Sequence, residues 1–502
     1  MTAVEEIAGW ASDLSAADVP ERVRSLCRAQ RRSVLGAIAG SSRDGASRRL
    51  LAGVESWTSD GPAALVGTDR TVRVDDALFA AAAWSVALDY DDYVSFGHTG
   101  HSSVLVPMLL ATETGSSDDE QLVAQVIANE VEARLGGACL IGPQNGQLWS
   151  YIHAAGAALA AGRLLGLDRS QLAHALAISL YQPVRATAPG FMAPESKLLT
   201  AAEPAVAGLR AARLAACGTT GPLDILDDPT GFFSAFADAP LRGLLGGLGT
   251  GWATLTLCVK THPGCAYLDT ALDAVAALAP IDPAEVERID VDASLLTCQM
   301  DAMSRPYAGG PPTPVTVTFS VPWSLAIAVV GGELTPEQLE EGWLRDHEAA
   351  VTDLAGRVRL RHDWALTRSA AGHFVSLLPP RRLAADAGLR TLVGGLLRQR
   401  RGHLSSVGGL GDLSGIVDMV RHSGNGGTLA GGPRDYWDPD ALESFTMTFP
   451  ARVAVVLRGG KRLEAEADVP VGGAGHPVFG PETVADGKLA RWGSRLSAFW
   501  RN

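Results

Sequence analysis

Residues 85–107, SVALDYDDYVSFGHTGHSSVLVP, set Asp89, Asp91, Asp92, His98 and His101 between two apolar runs. Carboxylates and imidazoles in such a setting are costly to desolvate unless they pair with one another or with a ligand. Imidazole exchanges its proton near neutrality and a neighbouring carboxylate can fix its protonation state, so the stretch has the makings of an acid–base site. A solvated acidic turn with two surface histidines is the plainer reading. The His98-x-x-His101 spacing also suits a metal, but no second ligand cluster on a recognisable scaffold accompanies it, and no metal is assigned.

Lysine usage adds a second signal. Of the 42 basic residues only four are lysines: Lys197, Lys260, Lys461 and Lys488. Where arginine serves the surface, a retained lysine suggests a need for a compact ammonium whose pKa can shift. Lys461 follows Gly459-Gly460 in a hairpin turn and Lys488 lies in a polar C-terminal segment, so both read as surface. Lys197 and Lys260 remain as site candidates.

The elements that must position these groups are mostly helical. LFAAAAWSVAL before the acidic stretch and SVLVPMLLATE after it read as buried helices, the second starting at Ser102 or Ser103 as N-cap. Residues 4 to about 240 carry helical patterning throughout: one helix opens at Asp18-Val19-Pro20 and closes at Gly40, and others cover 120–140, 150–165, 169–180 and 198–216. Their many small residues predict close helix packing. After Thr261 strand alternation appears at 286–292, 315–320, 357–361 and 451–457, the last turning at Gly459-Gly460 into 462–467. The chain therefore reads as mainly α with a second, α+β domain: a helical part over 1–258 and an α+β part over 259–479. An apparent insertion covers about 364–442, and a final helix follows Glu482. The glycine-rich segments GGLGD and HSGNGGTLAGGP inside the insertion do not fit a nucleotide loop.

Composition limits the partners. The 502 residues are 47% hydrophobic and 19% charged, with a net charge of −13, which disfavours nucleic acid and anionic membrane. Neither an export signal nor a long apolar run is evident, so a cytoplasmic protein is expected. Cys27, Cys139, Cys217, Cys258, Cys265 and Cys298 are scattered and read as buried thiols, with Cys265 a packing residue.

Several short motifs in order resemble the MmgE/PrpD family: RRSVLGAIAG, LDYDD, a histidine before GAALAAGRLLGL, SKLLTAAEPAVAGLRAARLAACGTTGP, VKTHPGC, FSVPWSLA and PARVAVVLRGGKR. The resemblance implies a helical domain completed by about 480–502, an inserted α+β lid, a homodimer and a cofactor-free cleft that takes a small carboxylate. It also implies catalytic roles for Asp89, His153, Lys197 and Lys260. The family's loop histidine falls between His98 and His101 and stays unassigned. The expected chemistry is that of a lyase, dehydration before decarboxylation or epimerisation: a histidine removes a proton beside a carboxylate, His153 acts as the complementary partner, and the lysines hold substrate carboxylates. Three substrate-facing positions depart from the family pattern, with Tyr93 and Ala155 where it has threonine and Trp323 where it has tyrosine. These changes remove hydroxyls and add apolar area, pointing to a bulkier or less acidic substrate.

Overall fold

The computed structural model describes residues 1–143, 146–388, 390–395 and 436–501. The helices Glu21–Ser41, Val74–Val86, Asp118–Ala138, Ser150–Leu164 and Leu199–Ala216 form the body of the helical part. Leu26, Val34, Leu35 and Ile38 bury one stripe of the first. Ser117 and Glu120 form a capping box at the start of Asp118–Ala138, where Asp118, Asp119 and Glu120 also suit the positive helix end. The helix Ser150–Leu164 is buried on every side from Ser150 to Gly162, as a central helix must be. It packs on Asp118–Ala138 and on Leu199–Ala216. The last approach depends on small residues: a Cβ at Gly208 would run into the Ala154 carbonyl and the Ala157 methyl.

Beyond this body lies a four-stranded sheet, in the order Val358–His362, Val286–Ala293, Ala451–Leu457 and Arg462–Ala467. The first pair is parallel and the other two are antiparallel. The helices Asp269–Leu278 and Val321–Gly331 pack against it and against each other. The segment 315–320 is not a strand, contrary to its alternation. Thr313 caps a helical turn, Pro314–Val317, with Pro314 at its first position, so local capping overrides the valine–threonine pattern. The described part of the insertion forms the helices Trp364–Phe374 and Pro380–Ala387, whereas the GGLGD and HSGNGGTLAGGP segments lie outside the described residues. No helix among the described residues is long and apolar enough to cross a membrane.

A short antiparallel pair ties the two parts together beside the acidic stretch. Asp92–Val94 pairs with Leu257–Val259 in the register Asp92↔Val259, Tyr93↔Cys258, Val94↔Leu257. That register sets Lys260 opposite Asp91, and the Lys260 amide donates to the Asp91 carbonyl at 3.2 Å.

The C-terminal helix Pro481–Trp492 packs along Glu21–Ser41 and corrects the surface reading of Lys488. This lysine is 3% exposed. Its Nζ donates to the Tyr90 carbonyl at 2.7 Å and to Ser33 Oγ at 3.1 Å, and lies 3.9 Å from the Tyr90 ring centroid. Gly36 makes room for it, since a Cβ there would overlap Lys488 Cγ. Burial pulls its pKa down to about 7, although Asp91 and Asp92 oppose the change.

Two expectations follow. Gly208→Ala should cost about 1–3 kcal/mol in urea unfolding, because the central helices must separate to admit the methyl. For Lys488, the folded chain holds fewer protons than the unfolded chain between pH 7 and the ordinary 10.5. Stability contributed by this group therefore rises with pH across that window. Lys488→Met should remove that part of the rise between about pH 7 and pH 9, and equal pH slopes in the two proteins would refute the assignment.

Candidate active site

The turn after Val74–Val86 places the site. Asp89 adopts a left-handed conformation, φ +54°, which aspartate tolerates better than most residues. Its carbonyl accepts from Lys260 Nζ at 3.1 Å and from the Gly264 amide at 3.2 Å. Its side chain accepts from Lys197 Nζ at 3.0 Å, and Lys197 also donates to the Val86 carbonyl at 3.2 Å. Asp89, Asp91 and Asp92 are all buried.

Asp91 is the centre of the cluster. One of its carboxylate oxygens accepts from Lys260 Nζ at 2.6 Å; the other is met by His98 Nδ1 at 2.7 Å, His101 Nε2 at 3.1 Å and Gln147 Nε2 at 3.1 Å. Burial pushes the Asp91 pKa up, but Lys260 and the histidines outweigh it and hold the group well below the usual range. Lys260 is the reciprocal case, with Asp89 and Asp91 overcoming burial to raise its pKa. Asp92 accepts from Gln30 Nε2 at 2.7 Å through one oxygen, while its other oxygen has no partner among the described residues. Burial raises the Asp92 pKa to about 6.

The three histidines differ in what they can reach. His98, with a side chain 15% exposed, lines a cavity; because Asp91 is ionised, His98 Nδ1–H is the donor to it. Its Nε2 has no protein partner among the described residues. Burial lowers the His98 pKa, against the pull of Asp91, and Lys260 lowers it further. His101 spends both nitrogens inside the protein, on Asp91 and, at 2.7 Å, on Ser85 Oγ. His153 shares a 2.8 Å hydrogen bond with Ser102 Oγ, which also donates to Glu132 at 2.7 Å. Burial holds His153 neutral and pushes the Glu132 carboxyl well up. The helix at this point begins at Gly100, so Ser102 lies inside it and bonds these side chains rather than capping it.

The cavity beside His98 has a volume of about 300 Å³ and also takes Asp89, Tyr93, Gln147 and Cys265 into its wall. Burial keeps the Tyr93 phenol protonated and pushes the Cys265 thiol up to about 12. Cys265 thus borders the cavity, beyond the packing role expected of it. Most of the remaining wall is aromatic or methionine, with Phe374 of the helix Trp364–Phe374 and Leu378 just beyond it taking part. Ala155 and Trp323 are not in the wall. Ala155 is buried within the central helix, and Trp323 is half-buried on Val321–Gly331, one turn beyond Phe319, which does face the cavity. Lys197 and Lys260 are 0% and 1% exposed and lie behind the described lining, Lys197 paired with Asp89 and Lys260 with Asp91. Gln147 and Ser102 escaped the sequence reading, because a single amide or hydroxyl carries no spacing signal. Among the described residues no group of three or more histidine, cysteine or acidic side chains is disposed to hold a metal ion.

Residues 5–242 match the MmgE/PrpD N-terminal domain and residues 262–378 the MmgE/PrpD C-terminal domain. Two similar proteins from Aspergillus terreus carry the name cis-aconitate decarboxylase. One, from strain NIH 2624 / FGSC A1156, is 24% identical over 387 residues, covering 71% of this chain and 78% of its own. The other is 24% identical over 383 residues, covering 70% and 77%. With both domain matches in order along one chain, the protein belongs to the MmgE/PrpD family.

Proposed function

We propose that the protein is a lyase that removes a proton beside a carbonyl or carboxylate of a small metabolite, with His98 as the base. The observation carrying this reading is His98 itself, fixed by Asp91 through Nδ1, kept neutral by burial, and presenting Nε2 at the cavity. A positioned base of this kind is worth about 10²–10⁴ in rate. In the dehydration we favour, Nε2 takes the α-proton, the C–H electron pair forms the double bond, and the β-hydroxyl leaves as water with a proton from solvent, the His98 imidazolium then releasing its own proton to solvent. Asp91 stabilises the imidazolium formed, and Lys260 keeps Asp91 ionised.

The relatives named as decarboxylases favour a second reading. There the C–C bond to a carboxylate breaks instead, CO₂ leaves with the carboxylate carbon, and His98 would have to enter protonated to donate a proton to the carbanion. Epimerisation, by removal and return of one proton, needs the same group. His153 is not in the described lining of the cavity, so Tyr93 and Gln147, which line it beside His98, are the better candidates for the other polar groups that meet substrate. The expected homodimer and cofactor independence remain part of this proposal.

The test is elimination from a panel of small β-hydroxy acids, with deuterium uptake from D₂O followed by NMR. His98→Asn should lower kcat/KM by about 10² or more, and an unchanged rate in a folded variant would end the proposal. As His98 must be neutral to act and its pKa is lowered from 6.5, the acidic limb of kcat/KM should lie below pH 6.5. Lys260→Ala should both slow the reaction about 10²-fold and move that limb to higher pH, since a cation near His98 is lost. Lys461→Ala, on the exposed hairpin turn, should change neither.

A further inference from the structure

We propose that the substrate has one carboxyl or carbonyl head and an aryl or branched-alkyl body, rather than two or three carboxylates. This rests on the lyase reading above only for which end of the molecule reacts. The cavity is divided in kind. His98, Asp89, Tyr93 and Gln147 make one polar patch, whereas Trp149, Phe191, Phe319, Phe449, Met300 and Met303 supply a broad apolar wall. Aromatic faces and adaptable thioethers suit a flat or branched hydrocarbon group.

Charge separates the two substrate classes more sharply than shape. The described lining holds no arginine or lysine, and its acidic member is Asp89. Lys197 is spent on Asp89 and lies beside the rings of Phe191 and Phe319, 5.8 and 5.1 Å from their centroids. Lys260 is spent on Asp91. A second or third carboxylate entering the cavity would lose its water, find no cation in the described lining and face Asp89, whereas a hydrocarbon group there is favoured by losing its water. A single head group is accommodated, because the Tyr93 hydroxyl, which has no partner among the described residues, and Gln147 can donate to it.

Isothermal titration of the full-length protein with 3-phenylpropanoate, 4-methylpentanoate, tricarballylate and citrate tests this. At least one of the two monocarboxylates should bind about ten-fold or more tightly than either tricarboxylate. Met300→Lys and Met303→Lys, at half-buried wall positions, should each narrow or invert that ratio. His98→Asn should preserve the preference while turnover is lost. Tricarboxylate binding that equals or exceeds that of the monocarboxylates would overturn the proposal. So would binding of none of the four, or an unaltered ratio in both methionine variants. The two readings fail separately: the stated preference in a protein without elimination activity sinks the lyase and leaves the substrate class, whereas His98-dependent turnover of a tricarboxylate does the reverse.

Discussion

Asp89, Asp91 and Asp92 lie within four residues and are at most 1% exposed, and the assembly around them answers the cost of burying that much negative charge. Lysines come from three distant places: Lys197 just ahead of Leu199–Ala216, Lys260 after the strand that pairs beside Asp92, and Lys488 from the C-terminal helix. Because these cations stand at positions 197, 260 and 488, the turn is satisfied only when the helical body, the sheet junction and the C-terminal helix have all assembled. Buried ion pairs contribute little net stability over apolar packing, but removing one partner leaves a charge stranded. Their contribution here is to specify one arrangement of the turn. Lysine suits the task because a compact ammonium fits between carbonyl and carboxylate, and unlike arginine it can give up its proton, as Lys488 does near pH 7.

Around Asp91 the histidines divide by depth. His98 has a nitrogen left for a ligand; His101 has none; His153 sits behind it, its ring 5.6 Å from that of His101. On the proposed reading a proton taken at His98 is stabilised by Asp91 without passing deeper, since burial disfavours a charge on His153 and pushes the Glu132 carboxyl well up. The lysines expected to grip substrate are each paired with an aspartate, Lys197 with Asp89 and Lys260 with Asp91.

How much of this was legible depended on the type of signal. LDYDD and GHTGH stood out as polar runs in an apolar chain, and the rarity of lysine singled out Lys197 and Lys260 before any contact was known. Helix positions were readable because alanine and leucine patterning extends over many turns. Lys488 was not, because its helix is polar on average and only the packing of Gly36 against it shows the lysine turning inward. The turn Pro314–Val317 was lost to an alternation that Thr313 and Pro314 override locally. Trp323 was chosen by motif position, but the helix Val321–Gly331 carries it away from the cavity, and Phe319 is the ring that arrives. The apolar part of the cavity wall was illegible, since its members come from residues 96 to 449 with no shared spacing.

The apolar wall and the base are one electrostatic arrangement rather than two features. A low-dielectric cavity lowers the His98 pKa by disfavouring imidazolium, and it strengthens the coupling of His98 to Asp91 and of Asp91 to Lys260. A cation added to grip a polyanionic substrate would change both, drawing water into the cavity and shifting the histidine it was meant to serve. A protein that keeps its cations behind the aspartates can therefore hold a neutral base beside bare aromatic rings. On the proposed reading, what it gives up is the means to bind a substrate through several charges, and recognition would pass to the shape and apolar area of the substrate's body.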